Sequence, residues 1–179
     1  MCFREINSEV FVADGPLVRV SHREIEFLKE RVKSAPRGRV RLCAHPGNDD
    51  ALHEMFIVLS CRTYIRPHRH INKSESFHVI EGTVDVVLFD EPGEVADVIS
   101  MGDFASGKKF YYRIMSPLYH TLLITSEVLV FHETTNGPFK QDGTDFAPWS
   151  PEEADAIARA RYVQNLVGKV KALSSSRGL

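Results

Sequence analysis

Two histidines and a glutamate lie close together in the chain and carry the strongest chemical signal in the sequence. One residue separates His68 from His70, and Glu75 follows five residues after His70. In a β-strand, residues i and i+2 point to the same face, so both imidazoles can reach one ion. His120 lies at the start of a much later predicted strand, and a β-barrel would bring such distant strand ends together. The sequence therefore predicts one divalent metal ion held by three imidazoles and one carboxylate.

The ligand types narrow the choice of metal without fixing it. Neutral imidazole nitrogens and a carboxylate oxygen suit a borderline divalent transition metal, which leaves Fe, Mn, Zn and Ni open. If the ion is six-coordinate, two positions remain for water or substrate. Structural metal sites are usually closed and rich in sulfur, whereas this ligand set contains no cysteine.

Side chains beside the ligands are candidates for substrate binding or catalysis. By strand parity, Tyr64 and Arg66 point to the same side as the histidines. Arg66 can hold a substrate carboxylate or phosphate with its planar guanidinium, or it can pair internally with Asp85 or Glu81. Lys73 lies in the loop between His70 and Glu75 and is either a substrate contact or a solvated side chain.

No residue is an obvious general base. Tyr64 and Tyr119 are the candidate catalytic residues, although the preferred interpretation of Tyr64 is packing and that of Tyr119 is an aromatic side chain in a turn. His45 is expected in a loop. It either covers the site or, in the preferred interpretation, forms a hydrogen bond with the backbone. His78 alternates with Glu75 and should face away from the metal.

Composition and charge set limits on the class of protein. The 179 residues carry a formal charge of −2, which does not provide the basic surface that sequence-independent nucleic-acid binding needs. The one basic cluster, Lys33, Arg37, Arg39 and Arg41, is interpreted as a solvated linker, with phosphate binding as the alternative. The three cysteines form no CxxC pair, which predicts a reducing compartment. The start of the chain has no signal-peptide pattern, and residues 122–131 are too short to span a bilayer. We therefore expect a cytoplasmic protein that does not associate with a membrane.

The predicted elements run in the order helix, β-domain, helix. Ser21 and Glu24 form a capping box at the start of a helix that extends to about Ser34. Short strands with regular turns follow, which is typical of an all-β barrel or sandwich. Pro151 is placed in the first turn of a C-terminal helix that extends to about Leu173. The domain organisation is an N-terminal extension with a helix (1–40), a β-barrel (41–150), and a C-terminal helix and tail (151–179). The predicted strands are 55–59, 76–80, 83–89, 95–99, 110–115, 120–124 and 128–131.

The run His68-x-His70-x4-Glu75-x6-Gly82 resembles the first motif of the cupin superfamily in its ligand spacing and its closing glycine. Residues 64–70 (YIRPHRH), 86–90, 137–139 and 145–149 (DFAPW) resemble signature segments of the WbuC-type cupin-fold metalloproteins. The resemblance covers roughly residues 40–152. It implies a mainly β, single-domain cupin (a double-stranded β-helix or jelly-roll barrel) with a bound metal. Such proteins usually form homodimers, so the resemblance also implies a homodimer.

Two departures from the WbuC pattern concern the chain around the site. Arg62 stands where the family usually has glycine, and the turn before His120 reads Met115-Ser116-Pro117-Leu118-Tyr119. The ligand is kept while the turn that leads to it differs, so the entrance to the barrel should be narrowed or reshaped.

These patterns favour a metal-dependent enzyme that acts on a small polar molecule. The WbuC resemblance implies a sugar or nucleotide sugar linked to surface-polysaccharide biosynthesis, with isomerisation or epimerisation as the reaction class. One alternative is an Fe(II)-dependent dioxygenase-type cupin. Another is a non-catalytic, metal-bearing module that binds or senses a sugar.

Overall fold

Two β-sheets form most of the protein, as seen in a computed structural model that describes residues 3–176. The larger sheet has seven strands in the order β1-β2-β3-β4-β11-β6-β9, and the smaller has five in the order β12-β5-β10-β7-β8. The strands of the larger sheet are β1 (Phe3–Asn7), β2 (Val10–Ala13), β3 (Arg39–Cys43), β4 (Leu52–Ser60), β6 (Glu75–Glu81), β9 (Tyr111–Ile114) and β11 (Val128–Asn136). Those of the smaller sheet are β5 (His68–His70), β7 (Thr83–Phe89), β8 (Val95–Gly102), β10 (Tyr119–Ile124) and β12 (Thr144–Phe146).

The chain crosses repeatedly between the two sheets from β4 onward. This path places strands that are distant in sequence opposite each other, and an apolar cluster joins the sheets face to face. Phe77 and Leu129 of the larger sheet pack there with Val84, Val86 and Met101 of the smaller one. The expected mainly β fold is confirmed, with two facing sheets as in a jelly roll.

A helix covers the outer face of the larger sheet. Helix α1 (His22–Ser34) begins at the predicted capping box, in which Ser21 accepts from the helix backbone while Glu24 accepts from the backbone N–H of Ser21. Its apolar side, which includes Leu28, packs on alternate residues of the neighbouring strands such as Val40 and Leu42 of β3. Because strand residues alternate between faces, Arg39 and Arg41 of β3 point to the opposite side, between the sheets.

The segment before β4 is thus an integral part of the larger sheet. Strands β2 and β3 pair in parallel, and β3 then pairs with β4. The expected boundary at residues 40 and 41 falls inside β3.

Gly82 makes the tight connection between β6 and β7. Its φ of +89° lies in the left-handed region, and a Cβ atom there would come within 2.3 Å of the Val128 carbonyl oxygen. Both the conformation and the space therefore require glycine.

The C-terminal helix α2 (Ala156–Ser176) begins later than predicted. Pro151 does not lie in its first turn, since residues 151–155 precede the helix, and the Pro151 carbonyl instead accepts a hydrogen bond from Tyr64. Leu166 and Val170 of α2 pack on the smaller sheet. The predicted tail is helical through Ser176, and its last three residues lie outside the described range. Within residues 3–176, no helix has the length and apolar character needed to cross a membrane.

Candidate metal centre

Four side chains converge between the two sheets. The potential ligand atoms of His68, His70, Glu75 and His120 all lie within 4.8 Å of one another. His120 on β10 lies directly opposite His68 on β5 in the smaller sheet, and Glu75 at the start of β6 approaches from the larger sheet. The structure therefore brings together the four residues that the sequence predicts as ligands.

Backbone carbonyls fix the orientation of two of the histidine rings. His68 Nδ1 lies 2.8 Å from the Arg66 carbonyl oxygen, and His120 Nδ1 lies 2.9 Å from the Leu118 carbonyl oxygen. Since a carbonyl oxygen only accepts, each Nδ1 carries the hydrogen and each Nε2 keeps a free lone pair. Metal-binding histidines are oriented by this kind of outer contact.

The carboxylate is held by two neighbours. The Tyr112 hydroxyl donates to Glu75 Oε1 at 2.7 Å, and His70 Nε2 lies 2.9 Å from Glu75 Oε2. Although burial alone would raise the pKa of Glu75, the hydrogen bond with His70 and the neighbouring His120 lower it to about 2.

The protonation states suit a metal ion as well. Burial, reinforced by the neighbouring imidazoles, lowers the pKa of His68 to about 3, so this ring is neutral near pH 7. Metal ligands must be deprotonated carboxylates and neutral imidazoles. The residues present therefore fit a divalent transition metal, with His68, His70, Glu75 and His120 as its ligands.

The four residues form part of the wall of a cavity of about 540 Å³ between the sheets. Phe77, Phe131 and Leu122 supply apolar surface in the same wall. This size suits a small-molecule ligand. The metal centre is therefore open to a space that a substrate can occupy.

Glu133 is a functional candidate that sequence reasoning missed. It lies on β11 opposite Phe77 of β6, and it lines the same cavity. In the metal-free protein, burial and the charge of Glu75 raise the pKa of Glu133 to about 8, although the charge of Arg41 opposes this rise. Within residues 3–176, no side chain forms a hydrogen bond or an ion pair with its carboxyl group. Extending the predicted strand 128–131 by two residues would have placed Glu133 on the same face as Phe131.

The basic cluster is exposed at Lys33, Arg37 and Arg41, as expected of solvated side chains, but it does not form a linker, since Lys33 lies in α1. Arg37, Arg39 and Arg41 line the cavity. Arg37 donates to Glu9 through Nε at 2.7 Å, and Arg39 lies 3.3 Å from Glu153. The linker interpretation fails because residues 39–43 form a strand of the larger sheet, with its odd-numbered side chains facing inward.

Arg66 lines the cavity, as expected of a substrate contact. Its guanidinium hydrogen-bonds to the side chain and carbonyl of Ser150 and lies 5.0 Å from the centre of the Phe146 ring. Neither Asp85 nor Glu81, the carboxylates considered for an internal ion pair, pairs with Arg66 within residues 3–176. The partner is a neutral serine, so Arg66 keeps an uncompensated charge.

Tyr64 does not join the metal centre. Residues 61–67 form no strand, so the parity argument does not apply to it. Its hydroxyl donates to the Pro151 carbonyl at 3.0 Å, and its ring meets Tyr162 of α2 edge-on. It lines a separate cavity of about 340 Å³ beneath α2. Burial raises the pKa of Tyr64 to about 12.

Tyr119 and Lys73 also lie outside the lining of the metal cavity. Tyr119 precedes a ligand on its strand and so faces the other way, where its hydroxyl donates to Asp145 at 3.0 Å. The Lys73 ammonium lies 5.8 Å from the centre of the Phe139 ring. His45 bonds to the backbone of Glu54, in agreement with the preferred interpretation.

Comparison with protein families gives one match. Residues 20–101 match a family model described as a domain of unknown function (DUF6016). No curated protein matches the chain. The resemblance to WbuC-type proteins stays a prediction.

Comparison with solved structures supports the fold. Protein SO0799 from Shewanella oneidensis superposes with a TM-score of 0.55 at 11% identity, over 78% of this chain and 91% of that one. A recombinant oxalate oxidase in complex with glycolate gives 0.49 at 15% identity, over 64% and 58% of the two chains. Oxalate decarboxylase from Bacillus subtilis at pH 4.6 gives 0.42 at 19% identity, over 55% and 24%. Of these three TM-scores, that of SO0799 exceeds 0.5, and at 11% identity this likeness concerns the fold alone.

Proposed function

We propose that the protein is a metal-dependent enzyme that acts on a small polar substrate inside the cavity between the sheets. The observation that carries this proposal is the placement of four potential ligand atoms, within 4.8 Å of one another, in the wall of a 540 Å³ cavity. A purely structural site would be closed and usually rich in sulfur. A bound divalent ion would supply Lewis-acid polarisation of a substrate oxygen or an activated water.

Glu133 supplies the proton-transferring group that the sequence did not reveal. Its carboxyl faces the cavity without a hydrogen-bond partner in the described chain, so it is available to a substrate atom. A carboxyl whose pKa is raised toward the working pH is suited to general acid–base chemistry. Glu133 would donate a proton to the substrate or take one from it, while Arg66 would hold a polar group.

For the substrate class we propose a sugar or nucleotide sugar. The support is the resemblance of residues 64–70 and 145–149 to the WbuC-type proteins, together with the cavity volume. Isomerisation or epimerisation is the reaction class that a Lewis acid beside a proton-transferring carboxyl suits best.

The first test is the metal content of protein purified without a metal-affinity tag. Wild type should hold about one equivalent, and the His68→Ala/His70→Ala variant should hold almost none. The matched control is His22→Ala/His78→Ala, which removes two exposed histidines and should keep the metal. Iron together with oxygen consumption would redirect the proposal to an oxygenase. Absence of metal in wild type after reconstitution with Fe, Mn, Zn and Ni would refute it.

The second test addresses Glu133. Metal-loaded wild type is incubated in D₂O with a panel of sugars and nucleotide sugars, and deuterium incorporation into C–H positions is followed by NMR. Glu133→Gln should keep the metal and lose the exchange by about two orders of magnitude or more. Unchanged exchange in Glu133→Gln would remove Glu133 from the proton-transfer role.

A further inference from the structure

Arg41 is a cation of the cavity that forms no ion pair within residues 3–176, although its charge acts on the Glu133 carboxyl. It lies on β3, lines the cavity, and is exposed. Among the ion pairs of residues 3–176, Arg37 is matched by Glu9 and Arg39 by Glu153, whereas no acidic group lies within ion-pair distance of the Arg41 guanidinium.

The balance of charge in the cavity favours an anion. Of its four acidic side chains, Glu9 and Glu153 are matched by arginines, and Glu75 belongs to the ligand set. The fourth is Glu133. Even with its carboxyl ionised, the four arginines of the cavity and a bound divalent ion carry more positive charge than the four carboxylates carry negative charge. Inside a low-dielectric cavity such charges attract an anionic ligand more strongly than they would at a flat surface.

Arg41 lies at a distance from the ligand set. Strand β3 is three strands away from β6 in the order β3-β4-β11-β6. At about 4.8 Å per strand, the backbones of β3 and β6 are about 14 Å apart along the sheet. A ligand that touches both the metal and Arg41 must therefore be elongated, with several bonds between its two ends.

From this arrangement we infer that Arg41 forms a distal anion subsite, which binds a carboxylate or phosphate group of a substrate whose reacting end lies at the metal centre. The inference rests on the proposed function and narrows its substrate class to elongated anions. A guanidinium binds either group with paired N–H donors, which explains the choice of arginine at this position.

The test uses probes with one or two charged ends, so it needs no knowledge of the natural substrate. Zinc- or manganese-loaded protein is titrated by calorimetry with dicarboxylates from succinate to sebacate, and with the monocarboxylate of matching carbon number in each case. For at least one chain length, the dicarboxylate should bind about tenfold or more tightly than its monocarboxylate partner. Comparison of pimelate with 6-phosphonohexanoate, which has the same five-methylene spacer, then identifies whether the subsite prefers carboxylate or phosphate.

Variants assign the effect to Arg41. Arg41→Gln should reduce the affinity ratio between dicarboxylate and monocarboxylate to about one, and Arg41→Lys should give an intermediate value. Arg161→Gln, which removes an exposed arginine from α2, should keep the wild-type ratio. Circular dichroism and the metal content confirm that each variant is folded and loaded.

The two proposals fail in different ways. A protein that holds no metal refutes the proposed function. A metal-loaded protein with a ratio near one at every chain length, or with the same ratio in Arg41→Gln as in wild type, overturns the distal anion subsite alone.

Discussion

Replacing Tyr112 by phenylalanine removes one oxygen atom next to the metal ligands and leaves the packing in place. The Tyr112 hydroxyl donates to Glu75 Oε1 at 2.7 Å, and its ring stacks on Phe77 with centroids 5.2 Å apart. Phenylalanine keeps the stack and loses the hydrogen bond. A hydrogen bond to a charged group contributes about 1.5–3 kcal/mol, and loss of an outer contact lowers metal affinity by about 10–100-fold.

The assay is a competitive metal titration against a chromophoric chelator at fixed pH. Tyr112→Phe should bind the metal about 10–100-fold more weakly than wild type. Tyr111→Phe is the matched control, because Tyr111 neighbours it on β9 and is exposed. Equal affinity in Tyr112→Phe and wild type would show that the hydroxyl does not orient the carboxylate. An equal loss in both variants would indicate a general effect on β9.

Three further measurements test the fold and the cavity. Gly82→Ala should lower the free energy of unfolding by about 2 kcal/mol or more in urea titrations, because the new Cβ meets the Val128 carbonyl, whereas Gly15→Ala, with open space around it, should cost less. In metal-free protein, the pKa of Glu133 rises from 4.5 to about 8 on folding, so the free energy of unfolding should fall as pH rises through this window. Glu133→Gln should therefore raise the free energy of unfolding by about 1–3 kcal/mol at pH 8 and by little at pH 4. The matched control is Glu127→Gln, which replaces an exposed glutamate. A gain in Glu133→Gln that is the same at both pH values would contradict the burial of its carboxyl. Removal of the metal by a chelator should lower the unfolding temperature, with a loss of about 4 kcal/mol from a site occupied at about a thousand times its dissociation constant.

Three of the four candidate metal ligands were predictable because their spacing is a local property of the chain, whereas His120 lies on the distant strand β10. The separation of His68 from His70 and the positions of Glu75 and Gly82 match one structural unit, a strand, a loop and the next strand. The capping box was predictable for the same reason, since Ser21 and Glu24 contact each other within one helical turn.

The inward face of the N-terminal strands was not predictable from local patterns. The side chains of β3 alternate between α1 and the cavity, and the cavity side carries Arg39 and Arg41 where a core strand would carry apolar residues. Charged residues in a short run between a helix and a strand normally indicate a solvated linker. Only the pairing of β3 with β4 shows that these charges face the interior.

The role of Tyr64 could not be judged from parity because parity applies only inside a strand. Pro67 precedes β5, and residues 61–67 follow an irregular path that directs Tyr64 toward α2. The start of α2 was also misjudged. Pro151 has the right type for a first turn, but its carbonyl bonds to Tyr64 and the helix begins only at Ala156.

Strand β3 contributes charge to the cavity but no metal ligand, and this division has a consequence for engineering. Residues separated by more than about 7–10 Å usually contribute additively to stability, and three strand spacings exceed that distance. Libraries that vary residues 39 and 41 should therefore change ligand preference while metal affinity stays constant. Replacing these two side chains of a single strand should then weaken the preference of the cavity for anions, while Arg66 and the candidate metal site stay in place.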